Sequence, residues 1–225
     1  MRFDIMTLFP EMVENILGES IIGRAQKAGI LEVHAHNIRD YSKDIHRKVD
    51  DTPYGGGMGM LMSCQPVFDC YEAVKAQADL PNTRTVYMSP QGMVFNQKTA
   101  QRLASYDRLI ILCGHYEGVD QRIIDGIIDE EISIGDYVLT GGELAACVVC
   151  DAVGRLKDGV LASRECHEKE SISCGMLEYP QYTKPREYRG MTVPEVLMGG
   201  NHADIERWRY REALKATRKK RPDLL

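Results

Sequence analysis

The run RLIILCG at residues 108–114 decides how this chain folds. Leu109, Ile110, Ile111, Leu112 and Cys113 follow one another with no polar face, so the segment reads as a β-strand buried on both sides, and Gly114 ends it. Working outward, RFDIMTLF (residues 2–9), LEVHAHNI (31–38), RTVYMSP (84–90) and ISIGDYVL (132–139) are further strand-like runs, several of them closed by Gly, Pro or Ser. Helical patterns fill the spaces between. One starts at Pro10, a residue suited to the first helical position, and runs to Gly29; others cover residues 65–78, 96–105 and the apolar stretch 141–153. The alternation predicts an α/β fold, a parallel sheet covered by helices, with ligands at the carboxyl ends of the strands.

At 225 residues the chain has room for one large domain, or a main domain with a small one attached. Hydrophobic residues make up 44% of the chain and charged residues 27%. That globular balance argues against disorder and low-complexity architectures. The opening MRFDIMTLFPEMV lacks a basic region followed by a long apolar stretch, and no run of about 18 apolar residues is present. The expectation is a cytoplasmic protein with no membrane partner. Seven cysteines, an odd number at irregular spacing, fit reduced thiols. Cys147 and Cys150 form a CxxC inside the apolar run LAACVVCDAV, where two cysteines packed on a helix outweigh a redox or zinc pair. His34 and His36 share one face of a strand without a Cys or Asp at ligand spacing, so no metal site is assigned.

The character of the chain changes after residue 156. Residues 157–185 are rich in Gly, Ser, Glu and Pro with little periodicity and read as a long mobile linker, the kind of loop that is functional when it occurs. Beyond it, residues 192–198 and 203–217 have helical patterns, the second opened by Asn201 as an N-cap. Residues 205–221 hold eight Lys or Arg against two Glu, within a chain of net charge −5. Such asymmetry points to a polyanion, although a solvated helical face accounts for the same charges. The division is therefore residues 1–156, a linker over 157–185, and a basic helical unit over 186–225.

Three glycine-rich segments fall where strands end: PYGGGMGM (53–60), SPQG (89–92) and IGDYVLTGGE (134–143). Glycine lets backbone approach a ligand closely and permits positive φ. None matches GxxxxGK[ST], which argues against a nucleotide triphosphatase. A fourth segment, CGHYEGVDQR (113–122), places Glu117 and Asp120 beside aromatic and bare backbone, a setting suited to a cationic ligand. Singly, each is accounted for as a turn with a surface acid. Four such turns at successive strand ends are harder to dismiss that way.

These segments, together with GMLEYPQYTKP (175–185) and VPEVLMGGNHADIERWR (193–209), resemble the bacterial tRNA (guanine-N1)-methyltransferases, the TrmD family, in the family's order and along the whole chain. The resemblance implies a SPOUT-type α/β domain whose parallel sheet carries a deep trefoil knot, plus a small α-helical C-terminal domain that grips tRNA. Nothing in composition or periodicity shows a knot, and general folding rules disfavour one. It also implies a homodimer with active sites at the interface. The implied cofactor is S-adenosylmethionine, held by Ser89, Pro90 and Gly92, by Gly114 and Glu117, and by Ile134, Gly135, Asp136, Tyr137, Val138, Leu139, Gly141 and Gly142.

The implied reaction transfers a methyl group to N1 of guanosine at tRNA position 37, next to the anticodon. N1 carries a proton and negative charge grows on O6 once it leaves, so the site needs a general base and a cation near O6. Arg155 matches the family arginine near O6. Glu170 matches the family's catalytic aspartate and is one methylene longer; Glu165, Glu168 and Glu178 are the alternative acids. His115 stands where arginine is common in the family, although histidine occurs there too. Magnesium helps the family's reaction and is expected to arrive with RNA and carboxylates. The competing readings are a SPOUT methyltransferase acting on another RNA, and an inactive RNA-binding module.

Overall fold

The structure, a computed structural model, describes residues 1–162, 171–172 and 175–225. They belong to two compact units, Met1–Ser163 and Arg164–Leu225. The strands of the first unit are β1 (Arg2–Thr7), β2 (Glu32–Asn37), β3 (Asp50–Asp51), β4 (Leu61–Met62), β5 (Thr83–Val94), β6 (Arg108–Cys113) and β7 (Glu130–Ser133). Five of them form one sheet in the order β2-β1-β6-β5-β7 with every pairing parallel, while β3 and β4 make a small antiparallel pair. The unbroken apolar run is thus the central strand, β6.

Its neighbours explain why it has no polar face. Leu109, Ile111 and Cys113 pack into one core layer with residues of α1 (Pro10–Leu17), α2 (Ser20–Lys27), α4 (Gln97–Leu103) and α6 (Glu143–Gly154). Ile110 and Leu112 point the other way, toward α3 (Cys64–Ala76) and α5 (Gln121–Ile127). Side chains alternate across a strand, so a strand covered on both faces must be apolar throughout. Cys147 and Cys150 lie buried on α6 as expected, and burial pushes both thiols up, Cys147 to about 11.

Three expectations are corrected in this unit. The helix expected from Pro10 to Gly29 is two helices, because the chain turns between them with Ser20 at φ 54°, and Gly23 sits so close to the Gly18 carbonyl that a Cβ would lie 2.0 Å from its oxygen. The strand RTVYMSP does not stop at Pro90. Instead β5 interrupts its pairing between Met88 and Met93 and resumes alongside Ile132 and Ser133, so residues 89–92 bulge out of one long strand. In ISIGDYVL only Ile132 and Ser133 belong to β7, and the remaining residues form a loop with Gly135 at φ 150°. Helix α5 and the β3–β4 pair are too short to carry a period and leave no mark in the sequence.

In the second unit, β8 (Glu187–Tyr188) and β9 (Met191–Thr192) form a hairpin whose two turn residues, Arg189 and Gly190, both have positive φ, the geometry that matches strand twist. Residues 192–198 are therefore not a helix: they hold the end of β9, Pro194 in extended backbone and a single 3-10 turn at Glu195–Leu197. Helix α7 (His202–Lys220) begins where expected, with the Asn201 side chain accepting from the Ala203 N–H at 3.2 Å. The Thr217 hydroxyl on α7 accepts from the Leu177 N–H at 2.9 Å, and Tyr179 packs edge-on to Trp208.

One buried carboxylate ties the starts of β1 and β6 to His36 of β2. Asp4 accepts from Arg2 and Arg108 at 2.7 Å each, and its other oxygen lies 2.8 Å from His36 Nε2. Arg108 directs its remaining donors at carbonyls of the last turn of α3 and just beyond it, reaching Val74 at 2.6 Å and Ala78 at 2.9 Å. Burial opposes ionisation of Asp4, but the hydrogen bonds from His36 and Arg2 and the charge of Arg108 outweigh it and hold the carboxyl well below the usual range. Asp4→Asn leaves Arg108 buried with no counter-charge and is expected to cost about 3 kcal/mol at neutral pH in urea unfolding. Because the folded carboxyl titrates lower than the unfolded one, the gap between wild type and variant should hold above about pH 4 and shrink below it. A gap that widened in acid would contradict this assignment.

Candidate active site

At the carboxyl ends of β5, β6 and β7 the chain leaves a cavity of about 300 Å³. Its walls come from the bulge of β5, the turn after β6 and the long loop between β7 and α6. Of the residues expected at a ligand site, Ser89, Pro90, Gly114, Glu117, Ile134, Tyr137, Val138, Leu139, Gly141 and Gly142 line it. Gly92, Gly135 and Asp136 do not. Gly92 instead lies against β7, where a Cβ would be 2.4 Å from the Ile132 nitrogen, and Asp136 is exposed.

The glycines of the walls are there because backbone passes backbone. A Cβ on Gly142 would be 2.7 Å from Cys113 Cα, and the Gly142 N–H donates to the Gly114 carbonyl at 3.0 Å. A Cβ on Gly114 would meet the Tyr87 hydroxyl at 2.8 Å. Tyr87 lies beneath the cavity, and burial, with Glu131 nearby, pushes its hydroxyl up to about 12, so it serves as a neutral wall. The Glu117 N–H donates to the Met60 carbonyl, and its side chain rests on Gly59, so the glycine-rich segment 53–60 abuts this wall.

Sequence reasoning missed one cluster. Glu143, the first residue of α6, is 2% exposed; it accepts from the Thr7 hydroxyl at 2.6 Å, and its two oxygens lie 2.9 and 2.8 Å from His115 Nε2. Thr7 ends β1 and His115 follows β6, so one carboxylate joins two strand ends to the start of a helix whose dipole favours an anion there. The one signal in the sequence is an acid directly after two glycines at a helix start.

Arg155, one of the two residues expected to carry chemistry, is not in the cavity wall. Glu143 opens α6, a helix of 12 residues, and Arg155 caps its far end. At the rise of an α-helix this separates the two by roughly 18 Å along the axis. Glu170, with Glu165 and Glu168, lies outside the described residues. Glu178 is described: its carboxylate is held by Gln181 at 3.2 Å, and its N–H donates to the Ser171 hydroxyl at 3.0 Å. Among the described residues no group of three His, Cys, Asp or Glu side chains converges on a metal position, and no helix is long and apolar enough to cross a membrane.

A glycine-walled cavity at the strand ends of a parallel α/β sheet is the place where folds of this class hold small ligands. The chain belongs to the tRNA (guanine-1)-methyltransferase TrmD family, whose model matches residues 1–225, as the sequence resemblance implied. Relatives named tRNA (guanine-N(1)-)-methyltransferase are similar over all of this chain. Those of Ruminiclostridium cellulolyticum and Lachnospira eligens are 58% and 56% identical, covering 96% and 94% of the relatives. That of Clostridioides difficile is 50% identical and covered over 97% of its length.

The backbone crossing at Gly142 makes a direct prediction. Gly142→Ala should lower stability by about 1–3 kcal/mol in chemical denaturation, since the Cβ meets main chain that cannot turn aside. An unchanged midpoint would mean that the two loops are not packed as described.

Proposed function

We propose that this protein transfers a methyl group from S-adenosylmethionine to N1 of guanosine in tRNA, at position 37 beside the anticodon. Membership of the family over the whole chain, with close relatives named tRNA (guanine-N(1)-)-methyltransferase, is the observation that carries methyl transfer to guanine N1. The cavity suits the cofactor in size and chemistry: the bare backbone at Gly114, Gly141 and Gly142 lets a planar base approach closely, and Glu117 and Glu131 supply carboxylates to the wall for a cationic ligand. S-adenosylmethionine supplies an electrophilic methyl group, and its carbon–sulfur bond electrons stay on sulfur.

The residues of this chain do the rest. Glu170 takes the N1 proton, and Arg155 stabilises the charge on O6. The linker over residues 157–185 brings Glu170 to the substrate, magnesium accompanies RNA and carboxylates there, and the basic helical residues from 186 to 225 hold tRNA. The loops around Gly114 and Gly142 belong to a deep trefoil knot of the SPOUT type, a reading supported by their close crossing. The protein works in the cytoplasm.

Arg155 acts in the cavity of a second copy. Its place at the opposite end of α6 from the cavity supports this, as do the exposed Phe9, Met12 and Ile16 at α1 and Leu144 and Val148 on α6, an apolar surface fit for a homodimer interface. Leu144→Glu should therefore give a monomer in light scattering and reduce methyl transfer at least tenfold. A monomeric but fully active variant would remove the shared site.

The activity itself is tested with an unmodified tRNA transcript carrying guanosine at position 37, and the same transcript with adenosine there. The product should be N1-methylguanosine, absent with adenosine at 37, and Glu170→Gln should lower the rate by 10² to 10⁴, on the order expected for a general base. Cofactor binding without transfer would favour an RNA-binding module, product at another nucleotide a different RNA target, and transfer that survives Glu170→Gln another linker acid.

A further inference from the structure

Glu143 is a buried carboxyl group that the proposed reaction does not use. It is acceptor-only when ionised, and both of its oxygens are within 2.9 Å of the same imidazole nitrogen, so His115 Nε2 must carry a proton. In the neutral ring the other nitrogen, Nδ1, is then a bare acceptor. His115 lines the cavity. Phe9 packs at 5.0 Å and Tyr116 at 6.3 Å from its ring, and neither ring offers Nδ1 a hydrogen bond. Among the described residues the only sealed side-chain nitrogen or oxygen without a partner is Arg209 Nε, so Nδ1 is open rather than buried.

We propose that Glu143 fixes His115 with an unprotonated Nδ1 open to the cavity, and that this nitrogen accepts a hydrogen bond from the ammonium group of the bound cofactor. The inference rests on the S-adenosylmethionine reading. An ammonium suits the place better than the adenine amino group because Glu143, one ring away, supplies negative charge, and Glu117 adds a second carboxylate two residues along the same turn. The Thr7 hydroxyl holds Glu143 in place, which makes Glu143 the positioning residue and His115 the contact. An arginine at residue 115 would be donor-only and could not accept this bond.

The test separates the two ring nitrogens. His115→Gln places an amide N–H where Nε2 was and keeps Glu143 satisfied, but it has nothing at the Nδ1 position. By calorimetry on the full chain, the variant should bind S-adenosylhomocysteine about tenfold more weakly, as expected for one hydrogen bond to a charged group. Its unfolding midpoint should stay near wild type. Binding of 5′-methylthioadenosine, which lacks the amino-acid end, should change less than about twofold. Wild-type affinity for S-adenosylhomocysteine, or an equal loss for both ligands, would overturn the proposal. Nitrogen-15 spectra of the imidazoles give a second reading, with the His115 proton on Nε2; a proton on Nδ1 would also overturn it. If wild type binds neither ligand, the cofactor reading fails instead.

Discussion

Everything in the candidate site depends on two stretches of backbone passing at contact distance: the turn after the central strand and the turn that starts α6. The Gly142 N–H bonds to the Gly114 carbonyl, and no side chain fits between Gly142 and Cys113. Hydrogen bonding alone does not hold the crossing. Glu143, one residue on, reaches Thr7 and His115, so the same few residues close the cavity, start a helix and tie the ends of β1 and β6. Two glycines followed by an acid are a compact way to do this, since the glycines permit the crossing and the carboxylate oxygens reach both Thr7 and His115.

The opposite ends of the strands use the reverse arrangement. There a buried carboxylate, Asp4, collects cations, and Arg108 extends from it to cap α3. One end of the sheet is sealed by fully paired charge, and the other keeps an aromatic, bare backbone and partly exposed acids around a cavity. That asymmetry is what parallel α/β sheets provide, with structure at the amino ends and ligands at the carboxyl ends. Helix α6 spans both roles, beginning at the cavity with Glu143 and ending with Arg155 on the far side.

The sheet is legible in the sequence because β6 is covered on both faces, and an unbroken apolar run of that length suits little else. The cavity glycines are legible too, since each marks a turn. Features without a period, or with two causes, stay hidden. Residues 10–29 carry one helical pattern across a break made by the Ser20 turn and the Gly18–Gly23 contact. Residues 192–198 look helical until the Arg189–Gly190 turn commits them to a hairpin. Gly92 reads as a ligand glycine, and the structure packs it against β7: a strand edge and a cofactor make the same demand on a backbone. His115 and Glu143 are 28 residues apart and meet only in the folded chain.

A crystal structure with S-adenosylhomocysteine tests the central claim most directly. The account predicts the ligand in the cavity between residues 89–92, 114–118 and 134–142, with its ammonium within hydrogen-bond distance of His115 Nδ1. A ligand bound elsewhere on the chain, with this cavity empty, would contradict it.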